Sequence, residues 1–191
     1  MSDECLLARF VESFGRFEEL LALESAPAEL DGGPDPGDGY RRWKPVAVRT
    51  EVGALEGFYA RIPGPLPALF EKLALSYRWL EVYLDDDVRL LANPPGAGLG
   101  GLAENMAADP VLRNVLFPLG LVPFGRAGGS YDPLCFDLSG RVGEGDCRVV
   151  RVEHESVLCN ERVGETWMVA ESFRLLVGSF VDGERAAGCG G

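Results

Sequence analysis

The chain has 191 residues, of which 47% are hydrophobic and 25% charged. That is ordinary globular composition, long enough for one domain that buries roughly 70% of its unfolded surface. Its net charge of −12 opposes nonspecific binding to nucleic acid or anionic membrane, because phosphates are repelled. The five cysteines, Cys5, Cys135, Cys147, Cys159 and Cys189, are odd in number and contain no C-x-x-C pair. They fit neither a disulfide framework nor a zinc site. The N-terminus is acidic and lacks a continuous apolar core, so no signal peptide is expected. No apolar run is long enough to span a bilayer. A reducing cytoplasm is the simplest expected location.

Residues 3–23 predict a long amphipathic helix, because Leu7, Phe10, Phe14, Phe17 and Leu21 recur every three or four positions. Ser2 or Asp3 suits the cap, and Asp3 and Glu4 suit the positive end of the helix dipole. Residues 26–39 (APAELDGGPDPGDG) are rich in proline and glycine with no apolar face. They read as a flexible linker or surface loop between an N-terminal helix (1–25) and a main domain (40–181). Charge divides with them: residues 1–39 carry −8, residues 40–63 carry +3 and residues 64–191 carry −7. The small basic island includes Tyr40-Arg41-Arg42-Trp43-Lys44. Against so acidic a whole it reads as a solvated segment whose Trp43 covers part of the core or pairs with the acidic first helix.

Thr50 caps a predicted second helix to about Ala60, and Ile62-Pro63-Gly64-Pro65-Leu66-Pro67 forms an extended corner. A third helix is predicted over Ala68–Tyr77, with Leu69, Phe70, Leu73 and Tyr77 facing inward. Trp79–Leu84 and Val88–Leu91 predict a hairpin joined by Asp85-Asp86-Asp87. These three carboxylates lack the alternating D-x-D-x-D-G pattern and distal Glu of a calcium loop, so a solvated acidic turn is expected. A loop from Asn93 leads to a short helix over Leu99–Met106. Asp109 and Pro110 then start another helix carrying Val111, Leu112, Val115 and Leu116.

The stretch from Leu121 to Val152 predicts a β-meander. Runs at Leu121–Phe124, Leu134–Leu138 and Arg148–Val152 are separated by glycine-rich turns. Val157–Cys159 predicts a further short strand, Trp167–Val181 a terminal helix, and residues 182–191 a disordered tail. The fold class is therefore α+β, a central and mostly antiparallel sheet with helices packed around it and a helical N-terminal extension.

Chemistry is sparse. His154 is the single histidine, so no relay through two imidazoles exists. Flanked by Glu153 and Glu155, it still offers an enzymatic reading as a general base. In a continuing strand, however, those glutamates point to the opposite face. Gly125–Ser130 has no P-loop lysine, and Gly96–Gly101 is not a dinucleotide-binding turn. No catalytic residue, cofactor site or metal site is predicted.

Several segments in order resemble the SUKH superfamily, the Smi/Knr-type proteins. They are Ile62–Pro67 with Phe70-Glu71-Lys72-Leu73, Ser76-Tyr77-Arg78-Trp79, Leu91–Gly96, Val122-Pro123-Phe124-Gly125, Tyr131–Asp137, Val149–Glu155 and Ala170-Glu171-Ser172-Phe173. The resemblance covers about Trp43 to Phe180. It implies a non-enzymatic protein-binding role. The expected function is that of an immunity protein that neutralises a bacterial toxin, such as a basic nuclease, by direct contact. The alternative is an intracellular regulatory or scaffold protein that docks through its first helix and linker. Charge and loop position nominate Asp85, Asp86, Asp87, Glu144 and Asp146 as partner contacts.

Overall fold

The computed structural model describes residues 1–23, 26–34, 36–37, 39–96, 98–143 and 145–183. In chain order its elements begin with α1 (Asp3–Glu12), β1 (Leu21–Leu23), β2 (Tyr40–Arg42), β3 (Val46–Ala47), α2 (Ala54–Tyr59) and α3 (Ala68–Ser76). Next come β4 (Tyr77–Arg78), β5 (Val82–Tyr83), β6 (Arg89–Leu90), α4 (Gly100–Met106) and α5 (Pro110–Leu116). The chain closes with β7 (Leu121–Arg126), β8 (Pro133–Val142), β9 (Asp146–Val152), α6 (His154–Asn160), β10 (Thr166–Ala170) and α7 (Phe173–Asp182).

The organising unit is a six-stranded sheet in the order β10-β9-β8-β7-β6-β5, with every pairing antiparallel. Two small sheets, β1-β2 and β3-β4, sit apart from it. The fold is thus α+β, as the β-meander predicts. Because side chains alternate across a strand, the sheet has two differently filled faces. One carries Phe124 and Phe136, stacked at 4.1 Å between ring centroids, with Phe70 of α3 and Phe173 of α7 edge-on against them. Aromatic pairs favour such offset and edge-on geometries. Phe10 of α1 joins the same core and touches Phe180 of α7. The other face carries Cys135 and Val152 under Leu116 of α5 and Val157 of α6.

Several predicted elements differ, each for a local reason. The first helix stops at Glu12 instead of running to residue 23. Ser13 closes its last turn, and Gly15 adopts a φ of +79°, a conformation that excludes most side chains. Phe17 is consequently exposed, while Leu21 enters β1 opposite Arg42. The proline-rich segment after it is not structureless where it is described. Ala28–Leu30 forms a single 3₁₀ turn, Leu30 is fully buried, and Asp31 bridges Trp43. Trp43 is itself core, and Arg42 pairs with Glu19 at 2.6 Å. The apolar side of α1 (Leu6, Leu7, Phe10, Val11) is buried in the same core as Val181, so this part of the chain is built in rather than appended.

Thr50 caps no helix. Its amide bonds the Leu75 carbonyl, and its hydroxyl accepts from Arg78, which leaves α2 to begin at Ala54. The short run at Val157–Cys159 is helical: only Val157 is buried, and the run pairs with no strand among the described residues. The predicted terminal helix is split. Thr166–Ala170 pairs with β9, and Ser172 then starts α7 by accepting the Leu175 amide. Of the predicted tail, residues 184–191 lie outside the described residues. No described helix is long and apolar enough to cross a membrane.

Candidate functional site

The strand register separates the nominated acids. The β5–β6 turn containing Asp85–Asp87 lies at the end of the sheet where β7 finishes, since Arg89 pairs with Arg126. Asp146 starts β9 at the opposite end, opposite Val142. The four described acids therefore do not form one patch. Glu144 lies outside the described residues.

Their roles also differ. Asp146 is tied to the fold: its two carboxylate oxygens accept the amides of Phe173 and Arg174, the first turn of α7, at 3.0 and 3.2 Å. This is helix capping across 27 positions of sequence. Asp85 is half-buried and folds its own turn, its Oδ1 accepting the amides of Asp87 and Val88 at 2.8 and 2.7 Å. Asp86 and Asp87 are exposed, and neither side chain forms an ion pair among the described residues. The Asp86 carbonyl lies so close to Gly128 that a Cβ there would sit 2.2 Å from it, so only glycine lets the acidic turn dock on the next one.

That next turn, Ala127–Asp132, holds a densely bonded polar cluster. Asp132 is buried, and its Oδ1 accepts both the His154 amide (3.0 Å) and His154 Nδ1 (2.6 Å). Its Oδ2 accepts Arg151 Nε at 2.7 Å, with Arg151 Nη2 at 2.5 Å. The Ser130 hydroxyl takes a further Arg151 bond at 3.3 Å and the Asp132 amide at 3.2 Å. Burial alone pushes the Asp132 carboxyl up. The bonds from the His154 amide and ring, then Arg151 and Ser130, reverse this and hold it at about 2. An ionised carboxylate only accepts, so His154 Nδ1 carries a proton and donates it.

Two exposed aromatic side chains contact this cluster. Tyr131, 72% exposed, lies edge-on to the His154 ring at 6.1 Å. Trp167, 41% exposed, pairs with Arg151 across β10 and β9 and lies 5.2 Å from its guanidinium. A cavity of about 220 Å³ beside this turn is lined by Tyr83, Arg89, Arg126 and residues 127–131. Arg89 there is paired with Glu81 at 2.7 Å and stacked on Tyr83.

As chemistry, the cluster is an orienting device. Asp132 presents His154 as a carboxylate presents the histidine of a hydrolytic triad. No serine, threonine or cysteine side chain bonds that ring among the described residues, so no activated nucleophile accompanies it. Glu153 does not join His154; it takes the Ser156 hydroxyl instead. No group of three or more His, Cys, Asp or Glu able to hold a metal occurs among the described residues.

Asp132, Arg151, Tyr131 and Trp167 are the residues that inspection of the sequence does not nominate. One signal was present: Ser130-Tyr131-Asp132-Pro133 is a turn with an acid just before a strand, in a chain with one histidine needing a partner. No protein-family model, no curated protein and no solved structure matches this chain.

Proposed function

We propose that this chain is a non-enzymatic protein-binding module that acts as an immunity protein, occupying a basic toxin domain by direct contact. One observation carries the reading. At a single end of the sheet, the exposed carboxylates of Asp86 and Asp87 adjoin the turn that bears Tyr131, and Trp167 rises from the same cluster. Protein interfaces combine rigid aromatic anchors, which supply contact area at low entropic cost, with charged rims that steer encounter. The resemblance to SUKH proteins and the net charge of −12 point the same way. A partner that itself binds phosphates, such as a nuclease, fits that charge. The regulatory alternative through a docking helix is less favoured, because the apolar face of α1 is already used in the core.

The test uses the product of the neighbouring reading frame as partner. Association measured by stopped flow at ~20 mM and ~500 mM salt should slow by about tenfold or more at the higher salt. The Asp86→Asn/Asp87→Asn variant should slow association at low salt while its circular dichroism stays unchanged. A rate unaffected by both salt and the double substitution would remove the steering role and the reading with it.

A further inference from the structure

Strand β10 closes the sheet on one side. It pairs with β9 and with no other strand among the described residues. Thr166, Trp167 and Met168 are all exposed, Met168 at 61%. Soluble proteins usually blunt such an edge with lysine, proline or an inward charge. Thr166-Trp167-Met168-Val169-Ala170 contains none of these, and its one bulge falls late, between Met168 and Ala170. The open half therefore keeps regular strand geometry.

Both faces of this edge are apolar. Trp167, opposite Arg151, lies on the phenylalanine side, and Met168, opposite Val150, lies on the other. The helix α7 packs on β10. Acids bracket the strand. Glu165 and Glu171 are exposed, and neither forms an ion pair among the described residues.

We propose that β10 accepts an extended segment of a basic partner protein as a seventh strand, with apolar residues at the centre of that segment and lysine or arginine at both ends. The inference rests on the protein-binding reading above and deepens it by naming the edge and the chemistry of its occupant. Main-chain hydrogen bonds along an open edge supply affinity, and the flanking side chains supply selectivity. Trp167 is pre-positioned by Arg151, which Asp132 holds, so little rotamer freedom remains to be lost on binding.

Charge selects this occupant over two others. Antiparallel pairing with a second copy that stacks Met168 on Met168 sets Glu165 near Glu171 of the copy at both ends. Each copy also carries −12, and like charges directly opposite across strands destabilise pairing. Residues 184–191 of this chain, Glu-Arg-Ala-Ala-Gly-Cys-Gly-Gly, offer no large apolar side chain to cover Trp167 or Met168.

The experiment titrates the ¹⁵N-labelled full chain with a synthetic peptide, Lys-Thr-Val-Thr-Val-Thr-Lys, and with its Glu-flanked counterpart. The expected result is amide shifts and slowed amide exchange confined to residues 165–171 with the lysine peptide, and weak or no response to the glutamate peptide. Met168→Lys, which blunts the edge, should weaken binding about tenfold or more. Glu165→Lys with Glu171→Lys should invert the preference between the two peptides. No shifts at ~1 mM lysine peptide, or equal response to both peptides, overturns the proposal. So does sedimentation of the free chain as a dimer that Met168→Lys dissolves, because the edge then belongs to a second copy. Slowed partner association in the Asp86→Asn/Asp87→Asn chain together with a silent β10 removes the edge assignment and leaves the protein-binding reading standing.

Discussion

The two ends of the central sheet use carboxylates in opposite ways. At the end where β8 turns into β9, the described acids Asp137 and Asp146 are absorbed by the fold. Asp146 caps α7. Asp137 accepts the Ser139 and Gly140 amides and pairs with Arg148 at 3.1 Å. At the far end Asp85 folds its own turn and the buried Asp132 organises the next one, while Asp86 and Asp87 are left facing solvent. Equal charge at two turns thus carries unequal meaning. A carboxylate already satisfied by backbone amides contributes to stability and presents little field to a partner. One without a local partner has the reverse balance.

The sharpest way to break this contrast is to remove the hub. Asp132→Ala strips the carboxylate from Arg151 and from the His154 amide, and should lower unfolding free energy by about 3 kcal/mol in urea denaturation. It should also quench the difference between the two ends by freeing Tyr131 and Trp167, seen as a red shift of tryptophan emission. A loss below ~1 kcal/mol would mean that the cluster is ornamental to folding.

Acid titration comes next in size. The Asp132 carboxyl sits at about 2 when folded, against an ordinary value of 3.8. The folded state thus binds fewer protons than the unfolded state between those values. Its contribution, about 2 kcal/mol, is fully present above pH ~4 and disappears as pH falls toward ~2. Asp3 titrates over the same window, because hydrogen bonds from Arg174 and then Lys72 hold it at about 2. The hub is therefore read as the difference between the native chain and Asp132→Asn, whose stability curve should be flatter from pH 4 to 2. Parallel curves would place the acid sensitivity elsewhere.

Asp146→Ala tests the opposite end. Loss of the α7 cap should cost about 1–2 kcal/mol by thermal or urea unfolding, with association to the partner unchanged. If it slows association as much as the Asp86→Asn/Asp87→Asn pair does, the two ends are functionally alike and the contrast fails. That pair should show the smallest stability effect, within ~0.5 kcal/mol, because neither side chain has a structural partner among the described residues.

The meander was legible in the sequence because its strands are short runs rich in valine, leucine and phenylalanine and its turns are glycine-rich. Phe136, Val149 and Val152 are all fully buried, as a pleated surface requires. The Asp109 cap was legible for a similar reason: it acts on Val111 and Leu112, two and three residues away. The failures share a different cause. Thr166–Ala170 became a strand because β9 lies beside it, and Trp167-Met168-Val169 fits a helix face equally well until that neighbour exists. Leu30 became core because it reaches the same buried cluster as Trp43, not because of any local pattern.

What the residues settle unaided is the short apolar strands of the meander, the Asp109 cap, the acidic balance and the lack of a histidine pair. Each depends on contacts a few positions apart or on composition. Tertiary structure alone decides that Asp132 meets His154 across 22 positions and that Asp146 caps a helix 27 positions away. It also decides which acids remain available to a partner. These are facts of distance through space, and a carboxylate reads the same in the chain whether an amide from elsewhere reaches it or water does.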